Sequence, residues 1–181
     1  MAQRAIGKSA PHFEMKTIDG AGKNFGEVSL DDYNGKWLIM FFYPLDFTFV
    51  CPTEITAFNK RIDTFKKLNA AVLGVSTDSE HSHKAWINSS QDQGGVGKLE
   101  FPLASDRTQQ VSRDYGVLIE EEGIALRGLF IIDPNGILKY SVIHDLNVGR
   151  SVDETLRVLQ GLQSGGLCPI DWHPGEELLE G

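Results

Sequence analysis

The feature that most constrains the fold is an unbroken apolar run, Trp37–Tyr43, followed at once by Pro44. The run has the length of a strand, and its continuous apolar character predicts a strand covered on both faces. Proline ends it because it has no amide hydrogen for a central ladder. From Pro52 onward, apolar residues recur every three or four positions, which predicts a helix with one buried face. These residues are Ile55, Phe58, Ile62, Phe65 and Leu68.

Later segments extend this strand, loop and helix into an α/β pattern. Ala70–Val75 predicts a second buried strand, Asp133–Gly136 marks the turn of a hairpin, and Ser151–Glu154 is a capping box that opens a last helix. The order β-α-β-α followed by β-β-α predicts a thioredoxin-like fold, with a mixed central sheet flanked by helices. We expect residues 1–166 to form this domain and residues 167–181 to form a tail.

Charge and hydropathy argue against several classes of partner. The net charge is −8, with no long basic run, so the chain lacks the electrostatic footprint of a nucleic-acid or anionic-membrane binder. No apolar stretch has the length that a bilayer needs. The first residues, Met1–Lys8, lack the apolar centre of a signal peptide. We therefore expect a cytoplasmic protein with no nucleic-acid or membrane partner.

The chain has two cysteines, Cys51 and Cys168. Neither belongs to a C-x-x-C pair, the simple redox motif of thioredoxins. Two thiols also cannot supply the four ligands of a cysteine-type zinc site. Three alternatives stay open for them: both are inert, one reacts singly, or the two pair transiently.

Cys51 lies where the loop is predicted to enter the helix, and Pro52 after it suits a first helical position. A sulfur there lies beside the free amides and the positive dipole end of the helix, which stabilise a thiolate. The thiolate is the reactive form of cysteine. The alternative is a buried structural cysteine that packs like a small apolar side chain. Position alone favours the reactive role.

The loop Phe42–Glu54 closely resembles the active-site loop of typical two-cysteine peroxiredoxins of the alkyl hydroperoxide reductase C type. The resemblance continues over essentially the whole chain, at Gly74–Asp78, Ala85–Asn88, Leu126–Asp133, Gly149–Glu154 and Gly166–Trp172. It implies a thiol-specific peroxidase that reduces hydrogen peroxide and alkyl hydroperoxides. It also implies that the enzyme needs no metal, haem or flavin of its own.

The resemblance assigns roles around the first cysteine. Cys51 matches the peroxidatic cysteine, whose thiolate attacks a peroxide oxygen and becomes a sulfenic acid. Thr48 matches the threonine that hydrogen-bonds the peroxide and the thiolate. Pro44 matches the proline that shields the pocket from bulk water.

Three charged residues also match the family. Arg127 matches the active-site arginine, which stabilises the thiolate and the charge that grows on the leaving oxygen. Glu54 and Arg150 match a supporting carboxylate and a second arginine. Without the resemblance, Arg127 in an apolar stretch would be interpreted as an edge or surface cation.

Cys168 matches the resolving cysteine. The family pattern implies a disulfide between Cys51 of one subunit and Cys168 of the other, reduced afterwards by thioredoxin or by a flavin-dependent disulfide reductase. It implies a head-to-tail homodimer, often assembled into a ring of five dimers. Spacing alone leaves an idle thiol in the tail equally open.

The printed sequence has no Tyr-Phe pair after the second-cysteine segment, as in short-tailed, bacterial-like members of the family. Gly94–Gly97 resembles the glycine loop that accompanies this pair in long-tailed members. We therefore expect ready local unfolding, fast resolution, and resistance of Cys51 to over-oxidation.

Two other functions fit parts of the sequence. A general thiol–disulfide oxidoreductase fits the fold, but it leaves Thr48 and Arg127 without a use. A chaperone-like holdase assembly could coexist with peroxidase activity. A metal site at His81 and His83 is disfavoured, because residues i and i+2 do not share a helix face. We expect these histidines to lie at a solvated helix start.

Overall fold

The computed structural model describes residues 5–181, in which strands and helices alternate along the first half of the chain. The strands are β1 (Glu14–Ile18), β2 (Phe25–Ser29), β3 (Trp37–Phe42), β4 (Ala70–Ser76), β5 (Leu103–Ser105), β6 (Leu118–Ile119), β7 (Ile124–Ala125), β8 (Arg127–Ile132) and β9 (Leu138–His144). The helices are α1 (Cys51–Lys60), α2 (Ile62–Lys67), α3 (Glu80–Asn88), α4 (Gln110–Asp114) and α5 (Val152–Ser164). Short 3₁₀ helices span Leu30–Tyr33 and Gln91–Gln93.

The main sheet has the strand order β2-β1-β5-β4-β3-β8-β9. The apolar run forms β3, which pairs parallel with β4 and antiparallel with β8. Leu38–Phe42 is buried throughout, as expected of a strand covered on both faces. The mixed sheet and its flanking helices confirm the predicted thioredoxin-like α/β fold. Because β8 runs antiparallel to β3, β8 begins at the sheet edge where β3 ends.

The predicted apolar stripe after Pro52 is real, but the prediction of one helix is wrong. Ile55, Phe58, Ile62 and Phe65 are all buried. However, α1 ends at Lys60, and Arg61, with φ −106° and ψ 8°, separates it from α2. The apolar spacing reports which side chains face the core and not whether the backbone ladder continues.

Contacts within the chain fall into two compact units, one ending at Arg150 and one spanning Ser151–Gly181. The second unit opens with α5, where Ser151 Oγ accepts a hydrogen bond from the Glu154 amide at 3.1 Å. Gly165, with φ +69°, ends this helix. The predicted division of the chain at residue 166 stays a prediction. Within residues 5–181, no helix is both long enough and apolar enough to cross a membrane.

Candidate active site

The loop after β3 delivers Cys51 to the start of a helix, as the sequence predicts. Val50 is the N-cap of α1, Cys51 is its first residue and Pro52 its second. The Cys51 side chain is fully buried, at 0% exposure. Pro44, at the start of this loop, is buried as well. The sulfur therefore lies at the positive end of α1, away from bulk water, although the amides of Thr53 and Glu54 already donate to the Val50 carbonyl, at 3.0 and 3.3 Å.

Thr48 places its hydroxyl beside this sulfur. Thr48 Oγ1 lies 3.0 Å from Cys51 Sγ and 2.9 Å from the Leu45 carbonyl oxygen. A hydroxyl has one hydrogen and two lone pairs. It can donate to Leu45 while it accepts from a thiol, or it can donate to a thiolate. The same threonine geometry thus suits both protonation states of the sulfur.

Arg127 approaches the sulfur from β8. Its Nη1 lies 3.3 Å from Cys51 Sγ and its Nε donates to the Leu146 carbonyl at 2.7 Å. The residue is only 3% exposed, so the interpretation as a surface cation is wrong. The sheet topology explains why Arg127 lies near Cys51. β8 runs antiparallel to β3, so β8 begins at the end of the sheet where β3 ends and the Cys51 loop begins.

Glu54 joins both arginines one helical turn after Cys51. Its Oε2 accepts from Arg127 Nη1 at 2.8 Å and from Arg150 Nη2 at 2.9 Å. Its Oε1 accepts from the Arg150 amide at 2.7 Å and from Arg150 Nε at 2.8 Å. Arg150 Nη1 also donates to the carbonyls of Phe42, at 2.7 Å, and Gly128, at 2.6 Å. The side chains of all three charged residues are buried.

The net charge of Glu54, Arg127 and Arg150 is opposite to that of a Cys51 thiolate. Burial acts to raise the pKa of Glu54, but the hydrogen bonds and charge of Arg150, and then the charge of Arg127, outweigh it and hold that pKa below its ordinary value. Two guanidinium groups and one carboxylate leave one net positive charge. A Cys51 thiolate would neutralise that charge at 3.3 Å from Arg127.

A buried polar network that the sequence does not predict lies behind the Cys51 loop. His83 is 0% exposed, and its Nδ1 lies 2.8 Å from Asp46 Oδ2. Asp46 also accepts from the Tyr43 hydroxyl at 2.8 Å and from the Ser82 hydroxyl at 2.8 Å. The expectation of a solvated histidine therefore holds for His81, which is exposed, and is wrong for His83. The spacing of His83 to the apolar Trp86 and Ile87, three and four positions later, is the local signal for its place on the buried face of α3, whereas its partner Asp46 lies 37 positions away.

The backbone of Asp46 ties the loop to the end of β4. Its amide donates to Asp78 Oδ2 at 2.9 Å, and the same oxygen accepts from the Ser76 hydroxyl at 2.6 Å. Burial, together with the nearby charge of Asp46, raises the pKa of Asp78. The loop is thus fixed on one side at Asp46 and on the other at Glu54.

Cys168 belongs to the second unit. It is half-buried, and its Sγ lies 3.7 Å from the Gly161 carbonyl oxygen and 3.6 Å from Ser164 Oγ, both on α5. Both cysteines are free thiols. Among residues 5–181, no group of three or more histidine, cysteine or acidic side chains is arranged to hold a metal ion.

Comparison with known proteins matches residues 6–141 to the AhpC/TSA family. A candidate peroxiredoxin from the rubredoxin operon of Clostridium pasteurianum is 64% identical over 98% of this chain and 99% of its own length. Peroxiredoxin-2 of Bos taurus is 54% identical over 97% of this chain and 89% of its own length. The crystal structure of reduced Plasmodium vivax 2-Cys peroxiredoxin superposes with a TM-score of 0.94 at 40% identity, covering 97% of this chain and 93% of that one.

The chain belongs to the AhpC/TSA family. Its relatives are peroxiredoxins, so it is a thiol-dependent peroxidase, an oxidoreductase that acts on peroxides. This confirms the family resemblance and the reaction class that the sequence implies.

Proposed function

We propose that Cys51 is the peroxidatic cysteine and that it reduces hydrogen peroxide and alkyl hydroperoxides. The observation that carries this proposal is the meeting of one buried sulfur with a hydroxyl at 3.0 Å and a guanidinium at 3.3 Å. The thiolate attacks one peroxide oxygen and the O–O bond breaks. Cys51 becomes a sulfenic acid, while the other oxygen leaves as hydroxide or alkoxide and takes a proton to form water or an alcohol.

The surrounding residues serve this displacement. Arg127 faces the negative charge that moves from sulfur to the leaving oxygen, and Thr48 can donate to either atom. Glu54 and Arg150 hold the Arg127 guanidinium in place through the contacts described above. Pro44 shields the reacting atoms from bulk water.

Cys168 is proposed as the resolving cysteine. Its thiolate attacks the Cys51 sulfenic acid of the other subunit of a homodimer, forming a disulfide and displacing hydroxide, which takes a proton to become water. A dithiol reductant, thioredoxin or a flavin-dependent disulfide reductase, then restores both thiols. Membership of the family and the likeness to a solved 2-Cys peroxiredoxin support this assignment. A ring of five dimers and a cytoplasmic location belong to the same proposal.

Two cysteine variants test the scheme. Cys51→Ser should abolish peroxide consumption, while Cys168→Ser should still consume one equivalent of peroxide per subunit. In a non-reducing gel, the wild type should form a covalent dimer after peroxide treatment, and Cys168→Ser should not. Unchanged turnover by Cys51→Ser would refute its assignment, and a disulfide confined to one chain would contradict the step between subunits.

The reductant is tested separately, by steady-state peroxide consumption with thioredoxin and its reductase or with a flavin-dependent disulfide reductase. Turnover should be sustained with at least one of them and should stop in Cys168→Ser. Sustained turnover of Cys168→Ser at the wild-type rate would show that the reductant acts on the Cys51 sulfenic acid directly.

A further inference from the structure

The segment that carries Cys168 closes on itself. Leu167 and Leu179 form an antiparallel bridge, with the Leu179 amide donating to the Leu167 carbonyl at 2.9 Å. Inside it, the Trp172 indole donates to the Glu176 carbonyl at 3.1 Å. Residues 167–179 are therefore a closed loop with its own hydrogen bonds, here called the Cys168 loop.

Arg157 on α5 joins the helix to this loop. Its Nη1 donates to the Trp172 carbonyl at 3.0 Å. Its Nε and Nη2 donate to the two carboxylate oxygens of Glu154, at 2.6 and 2.8 Å. The paired contact with Glu154 fixes the plane of the guanidinium, so Nη1 is aimed at the loop backbone.

Cys168 is unsuited to react while the loop is docked. Its thiol donates to the Gly161 carbonyl, with a distance of 3.7 Å from Sγ to oxygen, and its sulfur lies against the backbone of α5. Attack on a sulfenic acid needs an open approach to the sulfur, and α5 covers the Cys168 sulfur on one side. Reaction therefore requires the sulfur to leave this position.

Gly161 leaves room for one methyl group between α5 and the docked Cys168 loop. It lies inside α5, where glycine is less favourable than alanine. A Cβ at this position would lie 3.5 Å from Cys168 Sγ and 3.7 Å from the Trp172 ring, which is ordinary contact. Alanine would thus fit, strengthen the helix and touch both loop residues.

We propose that Arg157 is a positioning residue for the resolving step. Its hydrogen bond to the Trp172 carbonyl keeps the Cys168 loop docked on α5, and the release of this bond sets how often Cys168 is available to the sulfenic acid. This inference rests on the proposed role of Cys168. It places control of resolution in the second unit, apart from the residues that react with peroxide.

Two variants with opposite expected effects test the inference. Arg157→Met keeps the aliphatic stem but removes the donors to Trp172 and to Glu154, and should speed disulfide formation by at least about tenfold, which is the effect of losing the single charged hydrogen bond to the loop. Gly161→Ala should slow it several-fold, because it adds contacts to the docked loop. Rapid quenching after one equivalent of peroxide, followed by mass spectrometry, separates thiol, sulfenic acid and disulfide over time.

The formation of sulfenic acid serves as the internal control, and it should keep its wild-type rate in both variants. At high peroxide, the sulfinic acid of Cys51 should fall in Arg157→Met and rise in Gly161→Ala, because resolution competes with further oxidation. A merely structural role of Arg157 would lower the stability of the chain without speeding disulfide formation. Should Arg157→Met fold poorly, Arg157→Lys replaces it, because lysine keeps the charge but loses the paired contact with Glu154 that aims the donor at Trp172, and it should also speed disulfide formation.

The outcomes separate this inference from the function on which it rests. If the Cys51–Cys168 disulfide forms at the same rate in the wild type, Arg157→Met and Gly161→Ala, the inference is overturned and the proposed role of Cys168 stands. A slower rate in Arg157→Met would also overturn it, since docking would then assist resolution. Absence of that disulfide from the wild type would overturn the proposed role of Cys168 and the inference together.

Discussion

At the scale of single residues, the site is a balance of buried charges around Cys51. A thiolate and Glu54 supply two negative charges, and Arg127 and Arg150 supply two positive ones. Charges removed from water are tolerated only when they are paired and hydrogen-bonded. Each member of the group therefore depends on the others, and removal of one leaves an unmatched charge in the interior.

The Thr48 hydroxyl is expected to speed the reaction of Cys51 with peroxide. Thr48→Val keeps the shape of the side chain but removes the donor at 3.0 Å from the sulfur. We expect the second-order rate with hydrogen peroxide to fall about 10- to 100-fold, the effect of a hydrogen bond to a charged group. Stopped-flow oxidation of Cys51 measures it, and Thr48→Ser should retain most of the rate. Equal rates for valine and threonine would refute a role of the hydroxyl.

The Glu54 carboxylate predicts a pH dependence of stability. Because its pKa in the folded chain lies below the ordinary 4.5, ionisation stabilises the fold above that pH, and this contribution is lost as the pH falls through the lowered value. Glu54→Gln should therefore lose about 3–5 kcal/mol at neutral pH, because two buried guanidinium groups lose their partner. The gap between variant and wild type in urea unfolding should narrow below pH 4.5. A gap that stays constant with pH would contradict this account.

At the scale of elements, the sequence predicts the strands and helices that are marked by a pattern of neighbouring residues. Trp37–Tyr43 gives β3 because a strand covered on both faces must be apolar throughout. The sequence does not predict a strand at Phe25–Ser29, because β2 lies at a sheet edge with mostly exposed side chains and shows no alternation. It does not predict the interruption at Arg61 either, because the apolar spacing passes across that residue unchanged.

The same distinction applies to the site. The start of α1 at Cys51 follows from the loop and from Pro52, which are neighbours in the chain. The approach of Arg127 depends on the pairing of β8 with β3 over a separation of 76 residues. Only the family resemblance could supply that contact before the structure. His83 lacked even this support, since it meets Asp46 through tertiary packing alone.

The anchor of the Cys51 loop gives a prediction at this scale. Asp46→Ala removes the acceptor shared by Tyr43, Ser82 and His83. We expect about 3–5 kcal/mol less unfolding free energy, because buried polar groups lose their partner, and a slower reaction with peroxide because the loop is loosened. Urea unfolding and stopped-flow kinetics measure the two effects. Asp46→Asn, which keeps one carbonyl acceptor, should be milder, and wild-type stability of Asp46→Ala would contradict the anchor.

At the scale of the whole molecule, the groups proposed to reduce peroxide lie in the unit that ends at Arg150, and Cys168 lies in Ser151–Gly181. The proposed displacement uses sulfur, a hydroxyl and a guanidinium only. Dialysis against EDTA should therefore leave the single-turnover rate with hydrogen peroxide unchanged. Loss of this rate, with recovery on addition of one particular metal ion, would show that the scheme lacks a component.

The two anchors of the loop also limit the reach of the nucleophile. The backbone at Asp46 is bound to Asp78, and Glu54 is bound to both arginines. Between them, Cys51 is tethered three residues from Glu54, and an extended chain spans at most about 3.3–3.6 Å per residue. However the first turn of α1 opens, the Cys51 backbone stays within roughly 11 Å of Glu54 while that contact lasts. In the proposed resolving step, the thiol of the other subunit must therefore come within reach of this tethered sulfur.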